Sequence, residues 1–157
     1  MRAAIAIAPF ALLATSCGGK AGDPYAKSLA MGSEHVEMRG WVTANGKTRI
    51  PISASGDFTN TPDRGTLTVH MHGATFREVF DRNTVYVQRG NDWVRARVEA
   101  GSPQTPAQFF RARRPARAQD GLVRHIDDKS RSGFLSVDFS RYGAHVSVTV
   151  PRVKGSK

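Results

Sequence analysis

Any catalytic or metal-binding chemistry in this chain has to be built from five histidines, one cysteine and 13 acidic side chains. His70 and His72 alternate onto one strand face, from which two imidazoles can chelate an ion. No third ligand is marked, and two exposed polar strand positions are the better reading. His35, His125 and His145 are scattered. Asp127-Asp128 followed by Lys129 reads as a solvated turn beside a hairpin, not as an acid/base pair. The sequence holds no Gly-x-Ser-x-Gly, no phosphate-cradling glycine loop and no His-Glu-x-x-His. The expectation is a protein that is not an enzyme, with no catalytic residues, no cofactor and no metal.

Cys17 is the residue whose setting does point to chemistry. Met1-Arg2 is followed by an apolar stretch from Ala3 to Leu13 and then by small residues, the layout of a secretory signal over residues 1–16. The stretch lies well below the roughly 18 apolar residues that a spanning helix requires. Leu13-Ala14-Thr15-Ser16-Cys17 resembles a bacterial lipoprotein processing site, with alanine where leucine is more usual three places before the cysteine. That resemblance implies a mature chain beginning at Cys17, acylated there with chains such as palmitate and anchored outside the cytoplasm on the cell membrane. Residues 17–22 then form a short glycine-rich tether. The alternative is a plain secreted protein with an unpaired thiol.

The 157 residues suit one domain, here residues 23–151 with a tail at 152–157. A single cysteine excludes a disulfide scaffold and any multi-cysteine metal site. The net charge of +10 favours anionic partners such as nucleic acid, lipid or a cell-wall polymer. Export and the lack of a recognition module argue against nucleic acid.

The elements that would position any site are short strands. Asp23-Pro24 opens a short helix over about 24–32. From His35 the period is two: Val36, Met38 and Val42 alternate with Glu37, Arg39 and Trp41 up to an Asn45-Gly46 hairpin signal. Ile50, Ile52, Ala54 and Phe58 follow, with Pro51 marking an edge or a bulge. A turn at 62–65 leads to Leu67, Val69 and Met71. Further strands are predicted over about 75–80, 85–87 and 93–98. Thr105-Pro106-Ala107-Gln108 reads as a capping box opening a helix over about 106–113, ended by Pro115. Strands resume at about 121–126, 133–140 and 145–150. Antiparallel, mainly β structure with short helices is the class that this pattern defines.

These strands share an apolar face. It comprises Val36, Met38, Ile50, Ile52, Leu67, Val69, Met71 and Phe76, then Val85, Val87, Leu135, Val137, Phe139, Val146 and Val148. Periodicity does not distinguish an ordinary core from the wall of a lipid cavity. The run at 111–117 holds Arg111, Arg113, Arg114 and Arg117, which read either as a hydrated face or as a site for anionic lipid headgroups.

Several strings resemble the LppX/LprG family of actinobacterial lipoproteins, related to the LolA/LolB carriers. They include Ala54-Ser55-Gly56-Asp57-Phe58, the strand–turn–strand segment from Thr75 to Val87, and Pro106-Ala107-Gln108. Asp120-Gly121-Leu122-Val123-Arg124 and Val137-Asp138-Phe139-Ser140-Arg141-Tyr142-Gly143 belong to the same likeness. The resemblance implies a strongly curved antiparallel sheet, a half-barrel, whose helices close a cavity for acyl chains. Only Phe109 to Gln119 separates the second helix from the next family-like strand, which implies an internal deletion and a shortened half-barrel. The implied function is a membrane-anchored extracytoplasmic lipoprotein that binds or transports lipid or acylated glycolipid without catalysis. The alternative is an envelope interaction module with a basic surface and no lipid cavity.

Overall fold

The computed structural model of the protein describes residues 22–44, 47–96, 105–113, 116–130 and 133–153. Among the described residues nine strands form one antiparallel sheet: β1 Ser33–Ala44, β2 Thr48–Asn60, β3 Asp63–Met71, β4 Ala74–Asp81, β5 Thr84–Arg89, β6 Asp92–Ala96, β7 Ala116–Gln119, β8 Leu122–Ser130 and β9 Gly133–Ser140. Their spatial order is β6-β5-β4-β3-β2-β1-β9-β8-β7, so β6 and β7 are the edges of a sheet that curls without closing. The described residues also include two helices, α1 Pro24–Ala30 and α2 Pro106–Arg111. This is the antiparallel architecture expected from the alternation, with the curvature that the family resemblance implied.

Both helices start as their sequences dictate. The Asp23 carboxylate accepts from the Tyr25 N–H at 3.0 Å, and Thr105 Oγ1 accepts from the Gln108 N–H at 3.4 Å. Each helix has proline in its first turn, where a missing N–H costs nothing. The second helix ends at Arg111, with Arg113 in the left-handed region (φ 49). Pro115, expected to end it, lies outside the described residues.

Two glycines in the middle of the sheet allow neighbouring strands to approach closely. A Cβ on Gly40 of β1 would fall on the Phe134 carbonyl oxygen of β9, and one on Gly56 of β2 on the Thr66 carbonyl of β3. Neighbouring backbone approaches so closely there that only glycine fits, and glycine kinks are a standard source of sheet curvature.

Several expectations are corrected. The turn placed at 62–65 is Thr61-Pro62, and β3 already begins at Asp63. β3 ends at Met71, so His72 (φ 53) sits in the turn and does not share a strand face with His70. Asp127, Asp128 and Lys129 are not a turn. They continue β8, with Asp128 buried, because β8 runs on to pair with β9 as far as Ser130↔Gly133. Residues 116–119 form a strand that alternation did not mark, since three of its four residues are exposed.

The strand expected at 145–150 does not join the sheet. At Arg141 and Gly143 the chain passes through left-handed conformations (φ 46 and 75). There the Gly143 N–H donates to Ser33 O at 3.0 Å, and the Ser33 hydroxyl to Ala144 O at 2.6 Å. Both edges of β9 are already taken by β1 and β8, which leaves the segment no vacant neighbour beside it. Val146 and Val148 are half-buried all the same, alternating with exposed His145, Ser147 and Thr149. The Asn45-Gly46 turn and residues 97–98 lie outside the described residues. Pro51 stands where β2 has outrun β3, whose pairing begins at Ile52↔Met71, so it has a neighbour on one side only, as an edge proline should.

Candidate functional site: the concave wall

Alternation sends one set of side chains from every strand into the hollow of the curl. Register aligns them in rows, such as Phe139, Val36, Gly56 and Leu67, or Ile126, Val137, Met38, Ala54, Val69 and Phe76. The wall has two ends. At one, α1 and α2 pack down on it: Phe110, 1% exposed, meets Phe139 at 5.0 Å between ring centroids, and Phe58 meets Phe80 at 5.4 Å. Of the predicted wall residues, Val36, Leu67, Val69, Val85, Val137 and Phe139 are buried in this core. Met38, Ile52, Phe76, Val87 and Leu135 pack against it but stay partly exposed. Met71 is buried beside the core. Ile50, Val146 and Val148 are half-buried outside it.

Lengths explain the two ends. At 1.5 Å per residue the seven-residue α1 and six-residue α2 span about 10 and 9 Å. At about 3.3 Å per residue the 13-residue β2 spans about 43 Å. Helices this short seal one end and leave the rest of the apolar wall without helical cover.

Buried polar contacts fasten the sealed end. The Val123 N–H donates to Ser28 Oγ at 2.9 Å, and the Tyr142 hydroxyl to the Val123 carbonyl at 2.5 Å. The Asn60 amide donates to Glu34 Oε2 at 2.9 Å. Burial pushes the Glu34 carboxyl up to about 8, against the lowering effect of that bond. Glu78 is a second acid that burial raises. Its register places it on the wall between Leu67 and Val87, in phase with Phe76 and Phe80, and burial pushes it up to about 7. Sequence reasoning missed Glu78 as a wall residue, although it sits in phase with Phe76. It also left out Phe58, Phe80, Phe110, Val123 and Ile126. Phe58 and Phe80 are in phase with neighbours that were chosen, whereas the packing of Phe110 depends on where α2 lands.

The arginines at 111–117 are engaged one by one. Arg111 reaches Asp63 at 3.4 Å, Arg113 reaches Asp23 at 2.6 Å and Arg117 reaches Asp127 at 3.4 Å. Arg114 and Cys17 lie outside the described residues.

Among the described residues, the convex face holds an arrangement that resembles catalytic wiring. His35 contacts Ser55 Oγ through Nε2 at 3.1 Å and Asp57 Oδ1 through Nδ1 at 2.6 Å. That connectivity is the order of a serine nucleophile, a base and an orienting acid. Yet Ser55 lies mid-ladder, paired with Glu37 on one side and Thr68 on the other, so local backbone N–H groups are committed to the sheet. The Arg141 guanidinium is the donor beside the cluster, and it is turned onto His35 Nδ1 and Asp57 Oδ1, the base and acid, and not toward an oxyanion at Ser55. His125 is likewise held between Asp138 (2.6 Å) and Asp127 (2.9 Å). The bond to Asp138 is the main reason its pKa is raised. No group of three or more His, Cys, Asp or Glu among the described residues could hold a metal ion. Among the same residues no helix is long and apolar enough to cross a membrane.

A curled, open antiparallel sheet with two short helices on its concave side is the half-barrel class. Among solved structures the chain is similar to LprF from Mycobacterium bovis, with 16% sequence identity and a TM-score of 0.50. The match covers 82% of this chain and 93% of that one. At this identity the likeness establishes the fold. No family model matches the chain, and no curated protein matches it.

Proposed function

We propose that the protein is a membrane-anchored extracytoplasmic lipoprotein that binds lipid or acylated glycolipid on the open end of its concave wall, without catalysis. One observation carries the reading: an apolar wall, interrupted at Glu78, is covered by the helices around Phe110 and Phe139 and left partly exposed along Met38, Ile52, Phe76, Val87 and Leu135. An acyl chain laid along these residues completes the burial that the helices leave unfinished. A fourteen-carbon chain gains on the order of 10 kcal/mol on leaving water, at ~0.8 kcal/mol per methylene. Such a site works by shape and apolar area and needs little polar readout. The buried set Val36, Leu67, Val69, Val85, Val137 and Phe139 forms its floor, Met71 and Ile50 extend it, and Val146 and Val148 lie on the segment after β9. The half-barrel likeness supports the same reading at the level of fold.

Cys17 is the anchor in this proposal, with residues 1–16 removed as the signal. A headgroup binding at 111–117 would have to compete with Asp23, Asp63 and Asp127 for their arginines. Native mass spectrometry of the protein purified from membranes tests the binding: co-purifying acyl species, or uptake of a dodecyl-chain probe by stripped protein, are expected. Protein that is empty and refuses the probe overturns it in favour of an envelope interaction module. A Cys17→Ala chain should carry no acyl mass and leave the membrane fraction.

A further inference from the structure

The convex face has a feature of its own at the end of the sheet remote from the helices. Register lines up Pro51, Trp41, Phe134 and Lys129 across β2, β1, β9 and β8. Trp41 and Phe134 are half-buried, and with Gly133 and Lys129 they border an open concavity of ≈ 380 Å³. Arg49, two residues before Pro51 on the same strand face, stacks its guanidinium 4.2 Å from the Trp41 ring. Lys129 holds its ammonium 5.8 Å from the Phe134 ring. Neither cation has a carboxylate partner among the described residues, whereas Arg111, Arg113 and Arg117 each have an aspartate. Pro51, Arg49 and Lys129 are exposed, and so is Lys47 just before β2.

We propose that this aromatic and cationic row is a docking surface for an anionic phospholipid bilayer, separate from the acyl-binding wall on the other face. Charge complementarity selects the occupant. Indole and phenyl rings suit the boundary between headgroups and acyl chains. Arginine and lysine lay their aliphatic stems over apolar surface while the charged ends stay among phosphates. A polyanion without an apolar layer satisfies the two cations and leaves the rings unused, so the ring pair favours the bilayer. The surface requires neither acylation of Cys17 nor a lipid bound in the hollow.

The chain has two tryptophans, Trp41 and Trp93, so Trp93→Phe leaves Trp41 as the sole indole reporter. This full-length variant is mixed with vesicles of phosphatidylcholine alone or with added phosphatidylglycerol, each with brominated acyl chains. Trp41 emission should be quenched and blue-shifted on the anionic vesicles only, and high salt should reverse the effect. Arg49→Glu with Lys129→Glu, in the same background and with unchanged circular dichroism, should lower the apparent vesicle affinity at least tenfold. Equal quenching on neutral vesicles, no quenching on either, or full quenching in the double variant would each overturn the proposal. So would salt-sensitive association with anionic vesicles or a soluble polyanion that leaves Trp41 in water.

Discussion

Phe110 and Phe139, at the helix-covered end of the wall, are 1% and 3% exposed. Ile52, Phe76 and Leu135, further along the same sheet, keep part of their surface in water. On the wall face the strand chemistry is the same at both ends: period two, with β-branched and aromatic residues inward. What differs is the presence of a helix. A sheet face this long needs a second layer along its whole length, and two helices of six and seven residues supply only part of it. Stability is therefore expected to reside at the sealed end and ligand capacity at the open one.

The largest effect should come from the sealed end. Phe110→Ala removes a ring packed on Phe139 and should cost about 3–5 kcal/mol in urea unfolding. A loss below about 1 kcal/mol would mean that the helices do not seal the wall.

Glu78, on the wall between Leu67 and Val87, gives the second effect. Its carboxyl is raised from 4.5 to about 7 by burial, so the native state holds its proton more tightly than the unfolded chain does. The associated stability is fully present below pH 4.5 and is lost as pH rises through about 7. Glu78→Leu should flatten that slope and gain on the order of 2–3 kcal/mol at pH 8. Denaturant midpoints across pH check this, and a variant with the wild-type slope refutes the assignment.

At the open end the balance should invert. Ile52→Ser should cost about 1 kcal/mol of stability, as a partly exposed position does. The same change should weaken binding of a dodecyl probe at least fivefold, read by displacement of a fluorescent fatty acid. If Ile52→Ser costs as much stability as Phe110→Ala and leaves binding intact, the two ends are not distinct.

The smallest effect is a control on the opposite face. The His125 imidazole, gripped mainly by Asp138 and also by Asp127, should titrate above the usual 6.5 by NMR. Asp138→Asn should lower its midpoint. Its stabilising share is present below pH 6.5 and fades as pH passes the raised value. Binding in the hollow should leave this titration unchanged, and a ligand-induced shift would show that the two faces communicate.

Much of the sheet was legible because alternation is a local property. Val36, Met38, Leu67, Val69, Val137 and Phe139 could be assigned to one face from their spacing alone, and β9 appears at its predicted bounds. The failures share one cause. The alternation at 145–150 is as regular as in any strand, but a strand exists only beside a partner, and β9 had none to spare. Asp127-Asp128-Lys129 has turn-like composition, yet pairing with β9 holds it extended. The four arginines read as one basic patch until the fold delivered Asp23, Asp63 and Asp127 to three of them.

Local pattern in the chain settled the two faces of the strands and the helix starts at Asp23 and Thr105, because each depends on residues a few positions apart. Tertiary structure alone decided which stretch of the apolar face is covered and which stays open. That outcome turns on contacts such as Ser28 with Val123, 95 residues apart, and Phe110 with Phe139. The cause is geometric: a helix rises less than half as far per residue as a strand, and where so short a helix comes to rest depends on the whole curl of the sheet beneath it.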